Sequence, residues 1–179
     1  MFRRRLAAPF GVRFPIIPYV ASWIVVFFLF AGCGSHSTRS RLGDRSVTEL
    51  VDLLQSEGAE RRAQAAHALG EKGPAAAEAV AALAKLLNDI DVRVRLEAAV
   101  ALGKIGSEAR GAVPELSAAL RDKEATVRRQ SAAALGRIGS DAKAALPALE
   151  KARQDEAPIV RRAAGEAIER IKPAKASPQ

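Results

Sequence analysis

The segments AHALGEKG, AVALGKIG and AAALGRIG recur along this chain at one fixed interval. Gly70, Gly103 and Gly136 stand 33 residues apart, and so do Gly73, Gly106 and Gly139. Leu69, Leu102 and Leu135 keep the same step, with Ile168 at the next one. Four arginines, Arg62, Arg95, Arg128 and Arg161, share a register. So do Leu50, Leu83, Leu116 and Leu149, each preceded by Val47, Val80, Val113 or Leu146. A constant period over four units without insertion makes each unit one supersecondary piece that stacks on copies of itself. The units run over 47–73, 80–106, 113–139 and 146–172.

Each unit reads as two helices. In the third, Pro114 opens the first helix, where a missing N–H costs little. Val113, Leu116 and Leu120 follow at helical spacing on one face. RDKEAT is a polar turn. The second helix is predicted from Ala125 to Ile138, with Val127, Ser131, Leu135 and Ile138 on its inner face and Gly139 as a left-handed C-cap. Aromatic residues make up only 4% of the chain. A core of Ala, Leu, Val and Ile suits close-packed helices better than a sheet, so the expected fold class is all-α.

The unit VPELSAALRDKEATVRRQSAAALGRIG resembles the HEAT-repeat family, specifically its bacterial HEAT-like units. The resemblance implies a short right-handed α-solenoid of four helical hairpins over 46–172. It also implies a structural ladder between adjacent units, mapped onto Asp89, Asp122 and Asp155 with Arg62, Arg95, Arg128 and Arg161. Ser56 stands where the first unit should carry its acid. Arg61 replaces a repeated valine, Lys72 a repeated isoleucine and Glu169 a repeated glycine, as polar caps on terminal units would require. For function the family implies binding and scaffolding and no fixed partner.

The first part of the chain follows different rules. Four arginines and no acid precede an apolar run of 15 residues, Ile16 to Phe30. That length matches a signal-peptide core and falls short of the roughly 20 residues of a membrane-spanning helix. Ala31, Gly32 and Cys33 then resemble the lipobox of bacterial lipoproteins, with Phe30 in place of the usual Leu. That resemblance implies a signal peptide over 1–32, a lipidated N-terminus at Cys33 and a membrane anchor made of acyl chains such as palmitate. Several acyl chains hold a protein stably where one does so marginally. Cys33 is the only cysteine, so no internal disulfide forms. Residues 33–45 read as a flexible tether and 173–179 as a disordered tail. The expected location is the cell envelope. Gly34, in place of an acid after the cysteine, favours the periplasmic side of an outer membrane in a Gram-negative cell.

The net charge of +8 comes from the flanks, because 46–172 holds 20 basic and 19 acidic residues. A folded part so nearly balanced argues against nucleic acid as a partner. No nucleophile elbow or P-loop is present. HEAT-type hydroxylases use His-Glu pairs, and neither His36 nor His67 is followed by Glu. We therefore expect no enzyme, no cofactor and no metal, and a monomer. His67 is expected to be a solvated surface histidine. Positions off the core register of the second helices include Gln64, Glu97, Gln130 and Ala163, then Val100, Ala133 and Glu166. Among these, Leu96 and Val100 are expected to form a small exposed apolar spot with Arg129 and Arg162 beside it, a candidate protein-binding patch. The expected function is a lipid-anchored adaptor with an unknown protein partner. The alternative is an accessory HEAT-like lyase or chaperone-type subunit for a small ligand such as a bilin.

Overall fold

The computed structural model describes residues 42–172. Cys33, the apolar run and the tail after Lys172 lie outside the described residues. The described part holds eight α-helices arranged as four hairpins: α1 Val47–Leu53 with α2 Ala59–Lys72, α3 Val80–Leu86 with α4 Val92–Ile105, α5 Val113–Ala119 with α6 Ala125–Ile138, and α7 Leu146–Ala152 with α8 Pro158–Ile171. No strand occurs among the described residues. None of their helices is long and apolar enough to cross a membrane.

The 33-residue period places the same side chain at the same depth in each unit. Leu50, Leu83, Leu116 and Leu149 are fully buried from the first helices, and Leu69, Leu102 and Leu135 from the second. Each such leucine contributes about 1.5–3 kcal/mol of transfer free energy. Val127, Ser131, Leu135 and Ile138 are all buried on the inner face of α6. Ser131 is tolerated there because its hydroxyl donates to the Val127 carbonyl one turn back, at 2.9 Å. Ser46 caps α1: its Oγ accepts from the Glu49 amide, and Glu49 accepts from the Ser46 amide in return.

The links between hairpins differ from simple turns. Gly73–Ala79, Gly106–Ala112 and Gly139–Ala145 are 3₁₀ segments of seven residues each. Each buries two alanines completely: Ala76 and Ala79, Ala109 and Ala112, Ala142 and Ala145. Gly139 does take a positive φ, 76°, but its ψ is −139°. That differs from the left-handed helical cap expected for it and falls near a region essentially reserved for glycine. The chain therefore turns out of α6 sharply and enters the 3₁₀ segment at once.

Second helices are 14 residues long and pack side by side along the solenoid, α2 on α4, α4 on α6 and α6 on α8. First helices are only seven residues long and barely touch one another. The second helices thus form the closely packed face of the stack. What sets the spacing there is a row of small residues. A Cβ added to Gly103 would sit 3.2 Å from the Ala134 Cα, and one added to Gly136 would sit 2.9 Å from the Ala167 Cα. Gly70 meets Ala101 in the same way. Gly165 in α8 has nothing within 4 Å of such an atom.

These differences fix the sign of substitution. Gly136→Ala and Gly103→Leu overpack a backbone contact and are expected to destabilise by about 1–3 kcal/mol. Gly165→Ala gains helix propensity without a clash and is expected to stabilise by about 0.5–1 kcal/mol. Denaturant unfolding followed by circular dichroism measures both; a shift of the same sign for Gly136→Ala and Gly165→Ala would contradict this packing.

Candidate protein-interaction site

The loop between the two helices of a hairpin leaves carbonyls without helical partners. The repeated arginine, on the first turn of the second helix, answers them. Arg95 Nη1 donates to the Asp89 carbonyl at 2.9 Å and the Ile90 carbonyl at 3.2 Å. Arg62 and Arg128 do the same in their own loops. With Nη1 so engaged, the other edge of the guanidinium turns to the next unit. Arg62 Nε and Nη2 donate to Asp89 at 2.8 and 2.9 Å. Arg95 reaches Asp122 at 2.7 and 3.1 Å, and Arg128 reaches Asp155 at 2.8 and 2.9 Å. Each aspartate also accepts a backbone amide two residues on, from Asp91, Glu124 or Ala157. The ladder thus pairs each arginine with the acid of the following unit.

The fork geometry holds the carboxylates ionised. The Arg62 hydrogen bond holds Asp89 below the ordinary aspartate value of 3.8, and Arg128 does the same for Asp155. Burial pushes Asp122 upward, but the Arg95 bond and the Glu124 amide together bring it below that value. The side chains of Arg95 and Arg128 are 6% and 7% exposed, so these rungs are shielded from water.

The second-helix face carries two grooves. The first, about 480 Å³, is lined by α2, α4 and, from the segment before α1, Leu42 and Gly43, with Ala63, Ala68 and Leu96 among its apolar lining. Side-chain pairs bridge the two helices along it: Glu60 with Arg93 at 3.0 Å, His67 Nδ1 with Glu97 at 3.0 Å, and Glu71 with Lys104. The Lys104 hydrogen bond lowers the Glu71 carboxyl. The second groove, about 330 Å³, lies between α6 and α8, where Ala133, Ile159 and Ala163 are edged by Arg129, Arg162 and Glu166.

The four residues expected to form one patch are divided by this arrangement. Leu96 lines the first groove, while Arg129 and Arg162 line the second. Val100 lines neither of the two grooves. Leu96 and Val100 are half-buried, so they do not form the exposed apolar spot expected of them. The reason is that α4 has neighbours on both sides, which shade its flanks. Gln130, placed off the core register on α6, is buried for the same reason, and Ala163 is buried on α8 although that helix has a second-helix neighbour on one side only. His67 is half-buried and bonded to Glu97, not a free surface histidine. Among the described residues, the exposed large apolar side chains are Ile90, Val92 and Ile159. Two of them were visible as breaks in the repeat: Ile90 stands where the other units have Glu57, Lys123 and Glu156, and Ile159 where they have Glu60, Arg93 and Thr126.

Among the described residues, no group of three or more His, Cys, Asp and Glu side chains is placed to hold a metal ion. The family model for HEAT repeats matches residues 47–111 and 108–169. The chain belongs to the HEAT-repeat family. Its fold is similar to that of an engineered protein at 30% identity and a TM-score of 0.63, covering 71% of this chain and 62% of that one. It is also similar to a designed armadillo repeat protein in complex with the peptide (KR)4, at 25% identity and a TM-score of 0.62, covering 70% and 64%. Human deoxyhypusine hydroxylase, in complex with glycerol, is similar at 33% identity and a TM-score of 0.59, covering 72% of this chain and 44% of that enzyme. The chain therefore spans less than two thirds of the length of each. No curated protein sequence matches it.

The ladder makes two measurable demands. Arg128→Ala leaves Asp155 shielded without its fork and frees two loop carbonyls, so a loss of about 2–4 kcal/mol in unfolding free energy is expected. Arg128→Lys restores charge but not the bidentate geometry, and should recover only part of it. The aspartates are lowered in the folded state, so their stabilisation is complete above the unfolded value and is lost as pH falls through the folded one. Melting temperature should hold between about pH 7 and 5 and fall below about pH 4, less steeply in Asp155→Asn. An acid limb unchanged by Asp155→Asn would remove the rung from the account.

Proposed function

We propose that this chain is a non-catalytic adaptor, anchored through lipid on Cys33 at a bacterial cell envelope, whose solenoid binds another protein on its second-helix face. The observation that carries the reading is the pair of grooves on that face. Each has apolar side chains in its lining and charged groups at its edge, the anatomy of a protein-binding surface. A solenoid also suits binding because its face is held by packing between units and does not have to be ordered on contact.

Family membership supports the interaction role, since HEAT and armadillo-like repeats are scaffolds. The peptide held by the similar designed armadillo protein fits the same kind of use. The anchor rests on the order of arginines, apolar run, small pair and cysteine in the sequence. On this reading Cys33 is acylated, the polar stretch after it spaces the solenoid from the bilayer, and the periplasmic side of an outer membrane is the favoured address. Handling of a tetrapyrrole would call for a pocket rich in aromatic, His or Cys groups, and of these the groove linings hold His67 alone.

Two sets of variants of the full chain test the two halves of the proposal. Cys33→Ser should move the protein from the detergent phase to the aqueous phase, or leave it unprocessed; an unmodified Cys33 in an intact chain by mass spectrometry would refute the anchor. The pair Leu96→Asp and Ile159→Asp, one in each groove, should keep its helical signal and lose the protein captured by the wild type from solubilised membranes. Arg129→Glu with Arg162→Glu, both exposed, provides a second disruption that spares the core. If both paired variants capture the same protein as well as the wild type, the second-helix face is not the binding surface.

A further inference from the structure

The ladder ends on an arginine that keeps its geometry but has no rung among the described residues. Arg161 Nη1 donates to the Asp155 and Glu156 carbonyls, both at 2.9 Å, as its three counterparts do in their loops. Those two bonds fix the guanidinium plane. Its Nε–Nη2 edge has no carboxylate partner among the described residues, and the side chain is exposed. We propose that this edge is a docking site for an aspartate at the head of a turn in a partner protein.

The fold itself shows what such an edge receives. In three internal copies the ligand is the same: an aspartate whose carboxylate takes both N–H groups of the fork and a backbone amide two residues further on. An aspartate turn thus arrives already shaped, with its own amide bond holding the carboxylate. At Arg161 the matching half of that contact is preorganised in the same way.

A further hairpin stacked in the usual manner does not fit this end. At Gly136 even one added carbon would come within 2.9 Å of the backbone of the next helix, and the corresponding residue in α8 is Glu169. Glu169 is exposed and fills the space that close stacking requires. A second copy of this chain placed head to tail also fails on chemistry, because Ser56 holds the place of the ligand aspartate in its first unit. The occupant that satisfies Arg161 without approaching Glu169 is a short acidic turn lying across the start of α8. This site is separate from the second-helix grooves and does not depend on the anchor.

The probe is a cyclised peptide of residues 119–126, ALRDKEAT, which carries the Asp122 turn. Titrated into the full chain, it should bind saturably at Arg161. The same peptide with Asp122→Asn should lose binding. Arg161→Lys should weaken it about tenfold or more, since an ammonium cannot present the fork. Arg153→Ala removes an equal charge at an exposed position outside both second-helix grooves and should leave affinity unchanged. Circular dichroism checks that both variants remain helical. No saturable binding to the wild type, equal weakening by Arg161→Lys and Arg153→Ala, or undiminished binding of the asparagine peptide would each overturn the proposal.

Discussion

The structure depends on a single bidentate ion pair used three times. Arginine on the first turn of one second helix grips the aspartate that opens the loop of the next unit. One side chain does three jobs: it satisfies loop carbonyls, it orients a neighbour's turn, and it fixes the distance between hairpins. Because one guanidinium serves both units, neither loop can shift without disturbing the other. Replacing the pair with apolar groups could match its stability. Apolar groups would not define where one hairpin sits on the next, and a solenoid needs that at each step.

Close stacking of the second helices supplies the rest. Gly70, Gly103 and Gly136 let alanines of the next helix approach their backbone, so the second helices sit close together. Dispersion across such a contact is small per atom and large in sum. Departures from the pattern collect at the two ends. Arg61 and Lys72 stand where inner units bury valine and isoleucine, and the Lys72 ammonium reaches the Gly43 carbonyl at 3.1 Å. Glu169 stands where the inner units have glycine. At the same end Arg161 has no carboxylate on its fork among the described residues, which links the packing argument to a second surface for recognition.

Much of this was legible in the sequence, for a physical reason. A 33-residue period repeats an environment as well as a residue, so the buried leucines, the close-approach glycines and the helix bounds of α6 could be read together. The 3₁₀ segments were not read, although the alanine pairs that hold them recur at the same period. Alanine is compatible with nearly any helical segment and gives little sign of its conformation. The surface was read less well. Leu96 and Val100 lie on helix flanks, where burial depends on a neighbour's position and not on the periodicity of their own helix. Ile90 and Ile159 announced themselves only as exceptions to the repeat. Departures from a repeat are thus the better guide to function, and conformity to it the better guide to fold.

Every other feature follows if the rung between units is an energetic coupling and not merely a crystal-like juxtaposition of charges. A double-mutant cycle on Arg95 and Asp122, both replaced by alanine singly and together, measures this directly. Unfolding free energies in denaturant should give a coupling of about 1–3 kcal/mol, with the double variant less destabilised than the sum of the single ones. Losses that simply add, with a coupling of zero, would mean that the hairpins are held by apolar packing alone and that the ladder does not set the register of the solenoid.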